Sequence, residues 1–484
     1  MGVFKFRVPD YWQLEPRHAR TIHLIGLDGV PRPCSVKQNG QVLSISRNLN
    51  ESAKTYIAYP FEKFGELTIC TGTLLESDKT YDLGVELARG TLNRLRNQTS
   101  IWQEGGLEIP TIVHELTANA IAELGAAIIG GDTEENGFRS RQSLEFAIQA
   151  IYELCEQFGD NISEFRVTQT GIPSFWQAVT VNNPVPTAQQ LEPFDLIQPQ
   201  DVSLAHSEDN QQRTIIGPIL DSSPRSKFSF EPESYEQGRD ELLGKLDQLL
   251  AEMPDSASLI HAACNLNGIG QRNLSYRQQL QLTSEILGRI ENSDSDVPAM
   301  VSFDYPWAER LAWSVGGIHP MQIAEDLTRN GARISFIGLD INLDYWPGGS
   351  IARDPLQWID LIDAWCQFGM PLVLCLRIPK LCGDELQNAD TETIQPAEPR
   401  ASRASRASKC NQIADNMTDI QRWRLAKVIL KIAVARPGVH GVIWRQWSDA
   451  EDERYPFGGL VDAKGNSKQV LAWLSEFKKE TLKR

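Results

Sequence analysis

Apolar residues alternate with polar ones over the first 80 positions, recur at helical spacing over the next 80, then gather into unbroken runs. The opening stretch holds "TIHLIGLDG", "QVLSISRN", "TYIAYPF" and "GELTICTGTLL", β-branched or aromatic segments cut by Gly, Asn and Pro. Such segments predict short strands and turns. From Tyr81 the period changes. Leu83, Leu87, Leu92 and Leu95 fall near one helical turn apart, and "TIVHELTANAIAELGAAII" and "SLEFAIQAIYELCEQF" continue the period to about Phe158. The charges between them, Arg89, Arg94 and Arg96, read as a solvated helix face. After residue 165 come "FWQAVTV", "FDLIQP", "TIIGPIL", "SLIHAACNLNG", "VPAMVSFDYPW", "ARISFIGLDINLDYW", "MPLVLCLRIP" and "VHGVIWRQW". Several are separated by amphipathic helices such as "LSYRQQLQLTSEILGRI" and "WIDLIDAWCQF".

Near-continuous apolar strands alternating with helices mean a parallel sheet covered on both faces. Eight of them close a barrel, and an open sheet would want a glycine-rich first turn that is missing. The expected architecture is α/β. It is a (β/α)8 TIM barrel over 165–484, preceded by a small sandwich-like all-β module at 1–80 and a helical segment at 81–164. One stretch breaks the texture. Residues 384–416 are polar and contain "RASRASRAS". They cannot bury a core and read as a flexible insert, with an Arg-x-Ser phosphorylation tract as the functional alternative.

Composition narrows the classes. With 41% apolar and 23% charged residues, the 484-residue chain is globular in character. A net charge of −16 argues against nucleic acid and against an anionic membrane surface as partners. The first residues lack the apolar run of a signal peptide, and no uninterrupted apolar stretch of about 18 residues occurs. A cytoplasmic protein is expected. Eight scattered cysteines without a CxxC pair read as reduced thiols, and seven dispersed histidines give no zinc pattern. No GxGxxG or GxxxxGK[ST] cradle is present, so no metal and no cofactor are expected.

In a closed parallel barrel, chemistry gathers at the carboxyl ends of the strands. The fourth run ends in Asn265 and Asn267. The fifth supplies Asp304, Tyr305 and Trp307, and the sixth Asp340, Asn342, Asp344, Tyr345 and Trp346. The last supplies Trp444, Trp447 and Asp449. Indole faces stack on the C–H side of a sugar, and planar amides and carboxylates take its hydroxyls in pairs, so the set points to a saccharide cleft. Each residue also has a plain structural reading. Asp304 and Asp340 could cap helices, Trp307 and Trp346 could wedge loops, and Trp444 could be core.

These strand ends resemble those of glycoside hydrolase family 10, the endo-β-1,4-xylanases, over about residues 165–476. The segment "VIWRQWSD…FGGLVDAKGNSKQVLAWL" is similar to the family's last strand and loop. "SFDYPW" looks like its Asn-Asp-Tyr-Asn strand end. "FIGLDINLDYW" stands where the family has Gly-x-Gln-x-His, with Asp340 in the Gln place and Asn342 in the His place. "PFDLIQPQDV" is similar to its Thr-Pro-Glu-Asn strand, with Pro199 kept and Gln200 for Glu. Pro218 of "TIIGPILD" stands where the family has a His. The resemblance implies a barrel acting on β-linked polysaccharide. It breaks at the chemistry. The family's acid/base Glu directly follows an Asn on strand four, whereas Asn267 is followed by Gly268. Its nucleophile is the Glu of Thr-Glu-Leu-Asp on strand seven, whereas "VLCLRIP" has no carboxylate. A retaining glycosidase needs two carboxyl groups about 5–5.5 Å apart, so a family-type double displacement is not expected from those places.

Three readings follow. The chain is a glycosidase whose carboxylates have moved, with Asp304 and Asp340 as the catalytic pair and Asp449 in reserve. Or it binds an oligo- or polysaccharide without cleaving it. In either case Asn267, Tyr305, Trp307, Asn342, Tyr345, Trp346, Trp444, Trp447 and Asp449 are the candidate contacts. Or the cleft is vestigial, and the chain is a cytosolic interaction module.

Overall fold

The computed structural model describes residues 2–12, 14–48, 50–77, 79–130, 134–169, 175–181, 186–199, 213–221, 235–266, 274–312, 317–343, 349–378, 419–449, 455 and 457–482. The 384–416 segment, Asn267, Asp344, Tyr345 and Trp346 lie outside them.

The first strands are β1 (Gly2–Arg7), β2 (His23–Ile25), β3 (Pro31–Arg32), β4 (Ser35–Asn39), β5 (Val42–Arg47), β6 (Lys54–Phe61), β7 (Gly65–Cys70) and β8 (Thr80–Asp82), with a short helix α1 (Pro16–Thr21). They form two small sheets, in the orders β4-β5-β1-β8 and β3-β2-β6-β7. Period-2 alternation explains β1: Phe4 and Phe6 are buried while Lys5 and Arg7 are half-exposed. Asp82 then caps α2 (Leu83–Glu104), accepting from the Val85 amide at 3.0 Å. All four leucines expected on one face of that helix are buried. The helices α3 (Thr111–Ile129) and α4 (Glu134–Gln169) complete the helical layer.

The eight apolar runs become the barrel. Its strands are β9 (Trp176–Val181), β10 (Leu196–Pro199), β11 (Arg213–Ile216), β12 (Leu220–Asp221), β13 (Ala257–Cys264), β14 (Ala299–Asp304), β15 (Phe336–Asn342), β16 (Leu372–Arg377) and β17 (Val439–Trp444). Neighbours pair in parallel in the order β11-β10-β9-β17-β16-β15-β14-β13, and the β11–β13 pairing closes the ring. β11 and β12 form one stave interrupted at Gly217–Pro218, both halves pairing with β13. Gly217 sits at φ 105°, and a Cβ there would meet the His261 carbonyl oxygen at 2.4 Å. The intervening helices are α5 (Ala188–Leu191), α6 (Tyr235–Ala251), α7 (Tyr276–Glu291), α8 (Pro320–Arg329), α9 (Pro355–Cys366), α10 (Asp419–Ala435) and α11 (Gln469–Phe477).

Strand alternation sorts the barrel residues into two sets. Val179, Ile197, Ile260, Phe303, Leu339, Leu374 and Val442 join the core shared with the helices. Ala178, Leu196, Ile215, Leu259, Met300, Val373, Cys375 and Ile443 fill the interior, with Trp176 and Phe336 packed against them. The first 169 residues are fastened to this barrel by polar ties. The Thr68 amide donates to the Ala352 carbonyl at 2.7 Å, and Gln357 Nε2 donates to the Thr68 carbonyl at 2.5 Å. Arg94, unlike the exposed Arg89 and Arg96, reaches across to Asp354 at 2.5 Å. That aspartate also caps α9. Arg353 is buried between the rings of Tyr56 (5.6 Å) and Trp307 (5.0 Å). The six cysteines among the described residues are unpaired.

Candidate functional site at the barrel mouth

Above the apolar interior layer, two residues further along most staves and four along β15, the barrel turns polar. Thr180, Gln198, His261, Ser302, Asp340 and Arg445 are all buried there. Five of them form a closed circuit. Arg445 Nη1 donates to Gln198 Oε1 (3.3 Å), and Gln198 Nε2 to His261 Nδ1 (3.1 Å). His261 Nε2 donates to Ser302 Oγ (2.9 Å), and Ser302 Oγ to Asp340 Oδ2 (2.5 Å). Arg445 Nε lies 3.2 Å from Asp340 Oδ1 and closes the ring. The donors run one way from Arg445 to Asp340, and the Arg445–Asp340 ion pair closes the ring. This sense assigns the His261 proton to Nε2, because the amide nitrogen can only donate. Thr180 adds a donor to Gln198 Oε1 at 3.0 Å, and Gln198 Nε2 also reaches the Gly217 carbonyl at 3.1 Å. Gly338 makes room for the ring: a Cβ there would lie 2.6 Å from that of Ser302.

Electrostatics follow the geometry. Burial, then the Arg445 charge, pull His261 down to about 3, so the imidazole is neutral. Burial opposes the Arg445 charge, but Asp340 and the surrounding acids outweigh it and raise its pKa. The order His261–Ser302–Asp340 is not a nucleophilic triad. The serine proton goes to the carboxylate, and the imidazole donates to the serine rather than taking its proton.

Above the ring lies the mouth itself. Asp304 and Asp340 are direct register partners on β14 and β15, both of interior parity. Asn342 Oδ1 accepts from Arg377 Nη1 at 2.7 Å, and that guanidinium lies 4.3 Å from the Tyr455 ring centroid. Asn265 Nδ2 donates to Asp221 Oδ1 at 2.7 Å. Among the described residues, the non-glycine positions with positive φ are Asn265 (56°), Tyr305 (49°), Ala308 (58°) and Phe457 (63°). All four sit in loops leaving the carboxyl ends of β13, β14 and β17. Each costs on the order of 1–3 kcal/mol, and such strain collects at functional sites.

The sequence candidates divide. Asp304, Asp340 and Asn342 share the interior face of the mouth. Tyr305 is buried against Ala58 and Ile351. Trp307 is half-buried, donating from Nε1 to the Gln357 carbonyl (3.3 Å) and standing edge-on to Trp358 at 5.1 Å. Trp444 and Trp447 have turned outward into the core shared with the helices. Asp449 accepts from Lys468 Nζ (2.6 Å) and from the Gly459 amide (2.9 Å), pinning the loop after β17. Burial raises its pKa, with Lys468 opposing. Gln198, His261, Ser302, Arg377 and Arg445 carry the polar contacts here and are not singled out by strand-end position alone. Their signal was a lone polar residue at interior parity inside, or just past, an apolar strand.

The fold and site thus define a closed (β/α)8 barrel with a polar, partly strained mouth. No family model and no curated protein matches the chain. Among solved structures it is similar to a GH10 endoxylanase from a sugarcane soil metagenome, at 12% identity and TM-score 0.41, covering 66% of this chain and 100% of that one. It is also similar to xylanase 10B from Thermotoga maritima, at 11% identity and TM-score 0.42, covering 67% and 99%. A third is GH10 from Paenibacillus barcinonensis, at 12% and 0.42, covering 65% and 97%. The barrel assignment stands on the strand pairing of this chain.

Proposed function

We propose that this is a glycoside-hydrolase-like barrel that binds a β-linked oligo- or polysaccharide at its mouth and does not cleave it. The observation carrying the reading is the engagement of Asp340. Its two oxygens are taken by Ser302 and Arg445 inside a closed buried circuit. A general acid must arrive protonated and free to reach a leaving oxygen. Strand β16 contributes no carboxylate. The proposed contacts are Asp304, Asn342 and the Arg377–Tyr455 stack, planar groups suited to paired hydroxyls, with Asp304, Asn342 and Arg377 buried among the strand ends. The strained loops support the same location.

Titration calorimetry with xylo- and cello-oligosaccharides tests this. Saturable binding is expected, weakened at least about tenfold, or 1.4 kcal/mol, by Asn342→Ala. No heat at millimolar ligand would leave the barrel as an interaction module. A second reading, hydrolysis by Asp304 with Asp340, has the register pairing of those residues in its favour. It requires turnover that Asp304→Asn abolishes.

A further inference from the structure

α3 is the one helix among the described residues that is long and apolar enough to cross a membrane, yet 22% of its most apolar 18-residue window is buried. Val113, Leu116, Ala120, Leu124 and Ala127 face inward. At 100° per residue, Ala118, Ala122, Gly125 and Ile129 fall within about 60° of one another on the opposite side, flanked by Ile121 and Ile128. Ile121, Ile128 and Ile129 are 45%, 51% and 87% exposed, and Phe138 at the start of α4 is 52% exposed. No charge lies within this stripe. The exposed Glu115 borders it, about 20° beyond Ala122, while Glu123, on the flank towards the buried face, pairs with Arg139 at 3.1 Å.

We propose that this face of α3 is the contact between two copies of the chain, packed antiparallel about a twofold axis near Glu123–Leu124. The stripe is complementary to itself. Setting Ala118 of one copy opposite Ile129 of the other brings Ala122 over Gly125 at the crossing, where small residues permit close approach. The same operation brings Ile121 of one copy beside Ile128 of the other, offset by about 3 Å along the helix axis. A twofold requires one patch to fit its own image, and this pattern does. The exposed apolar surface is on the order of 500 Å², the scale that marks an interaction site on a monomer. Two such faces give roughly 1,000 Å², the lower bound of a specific interface. Charge decides against a bilayer. α3 carries no Lys or Arg, and the chain has a net charge of −16, so anionic headgroups gain no attraction.

Sedimentation velocity of the full chain up to about 100 µM is the test. Twice the chain mass is expected, falling to one chain mass in Ile121→Glu and Ile129→Glu. Both sites are exposed in the single chain, so its fold should be retained, read as an unchanged circular-dichroism spectrum. In a second arm, Ala118→Cys combined with Ile129→Cys should give an oxidised dimer in which the two positions are joined between copies. A monomer throughout, a dimer surviving both glutamates, or monomers that instead float with liposomes and lose that binding in the same variants, would each overturn the proposal.

Discussion

The barrel interior has two adjacent layers built by the same strands at the same parity, and they solve one packing problem differently. In the lower layer Leu196, Ile215, Leu259, Met300 and Ile443 fill space by shape alone. Further along the same staves, Gln198, His261, Ser302, Asp340 and Arg445 fill it by direction, each donor finding the next acceptor. An apolar layer yields gradually to substitution. A buried ring with a charge at its closure does not, because a missing member leaves its neighbours desolvated and unpaired. The lower layer holds the barrel closed, while the upper one fixes a single arrangement beneath the mouth.

Substitution separates the two. Arg445→Ala, which strands Asp340, should cost the most, about 3–5 kcal/mol in urea unfolding. A loss below about 1 kcal/mol would mean that the ion pair is not closed in solution. Leu259→Ala in the apolar layer should cost about 3 kcal/mol through its cavity, without changing the pH dependence. His261 sharpens the contrast. Its folded pKa is depressed to about 3, so the unfolded chain binds the extra proton. Stability from this group is complete above about pH 6.5 and is lost as pH falls toward 3, with a slope of about 1.4 kcal/mol per pH unit. His23, equally buried and also lowered to about 3, adds the same slope. His261→Gln should therefore remove its own share of the proton-linked slope between pH 6 and 4, leaving those of His23 and His319, and an unaltered slope would contradict a neutral buried imidazole. Ser302→Ala should be the mildest, about 2 kcal/mol, leaving one unmet donor on His261 and one unmet acceptor on Asp340.

How much of this was legible differs by level. All eight barrel strands could be read, because strands buried on both faces leave continuous apolar runs. The helix faces were equally plain at Leu83, Leu87, Leu92 and Leu95. The mouth was half legible. Reading strand ends found Asp304, Asp340 and Asn342, but it also took Trp444, whose parity sends it outward with Val442. Alternation counted from Ile443 would have placed Arg445 inside instead. His261 and Ser302 were passed over because one polar residue in an apolar strand looks like noise until its partners on other strands are known. Arg94 read as solvated for the same reason. Its partner Asp354 lies 260 residues away, and no local pattern announces such a pair.

The proposed function requires a mouth that binds sugar without breaking it. The most direct measurement is reducing-end release from xylan and β-glucan by the purified chain, beside the Asp304→Asn variant. Background release from both proteins, with oligosaccharide bound and recovered intact, is the predicted result. Sustained release by the unmodified chain that Asp304→Asn abolishes would contradict it.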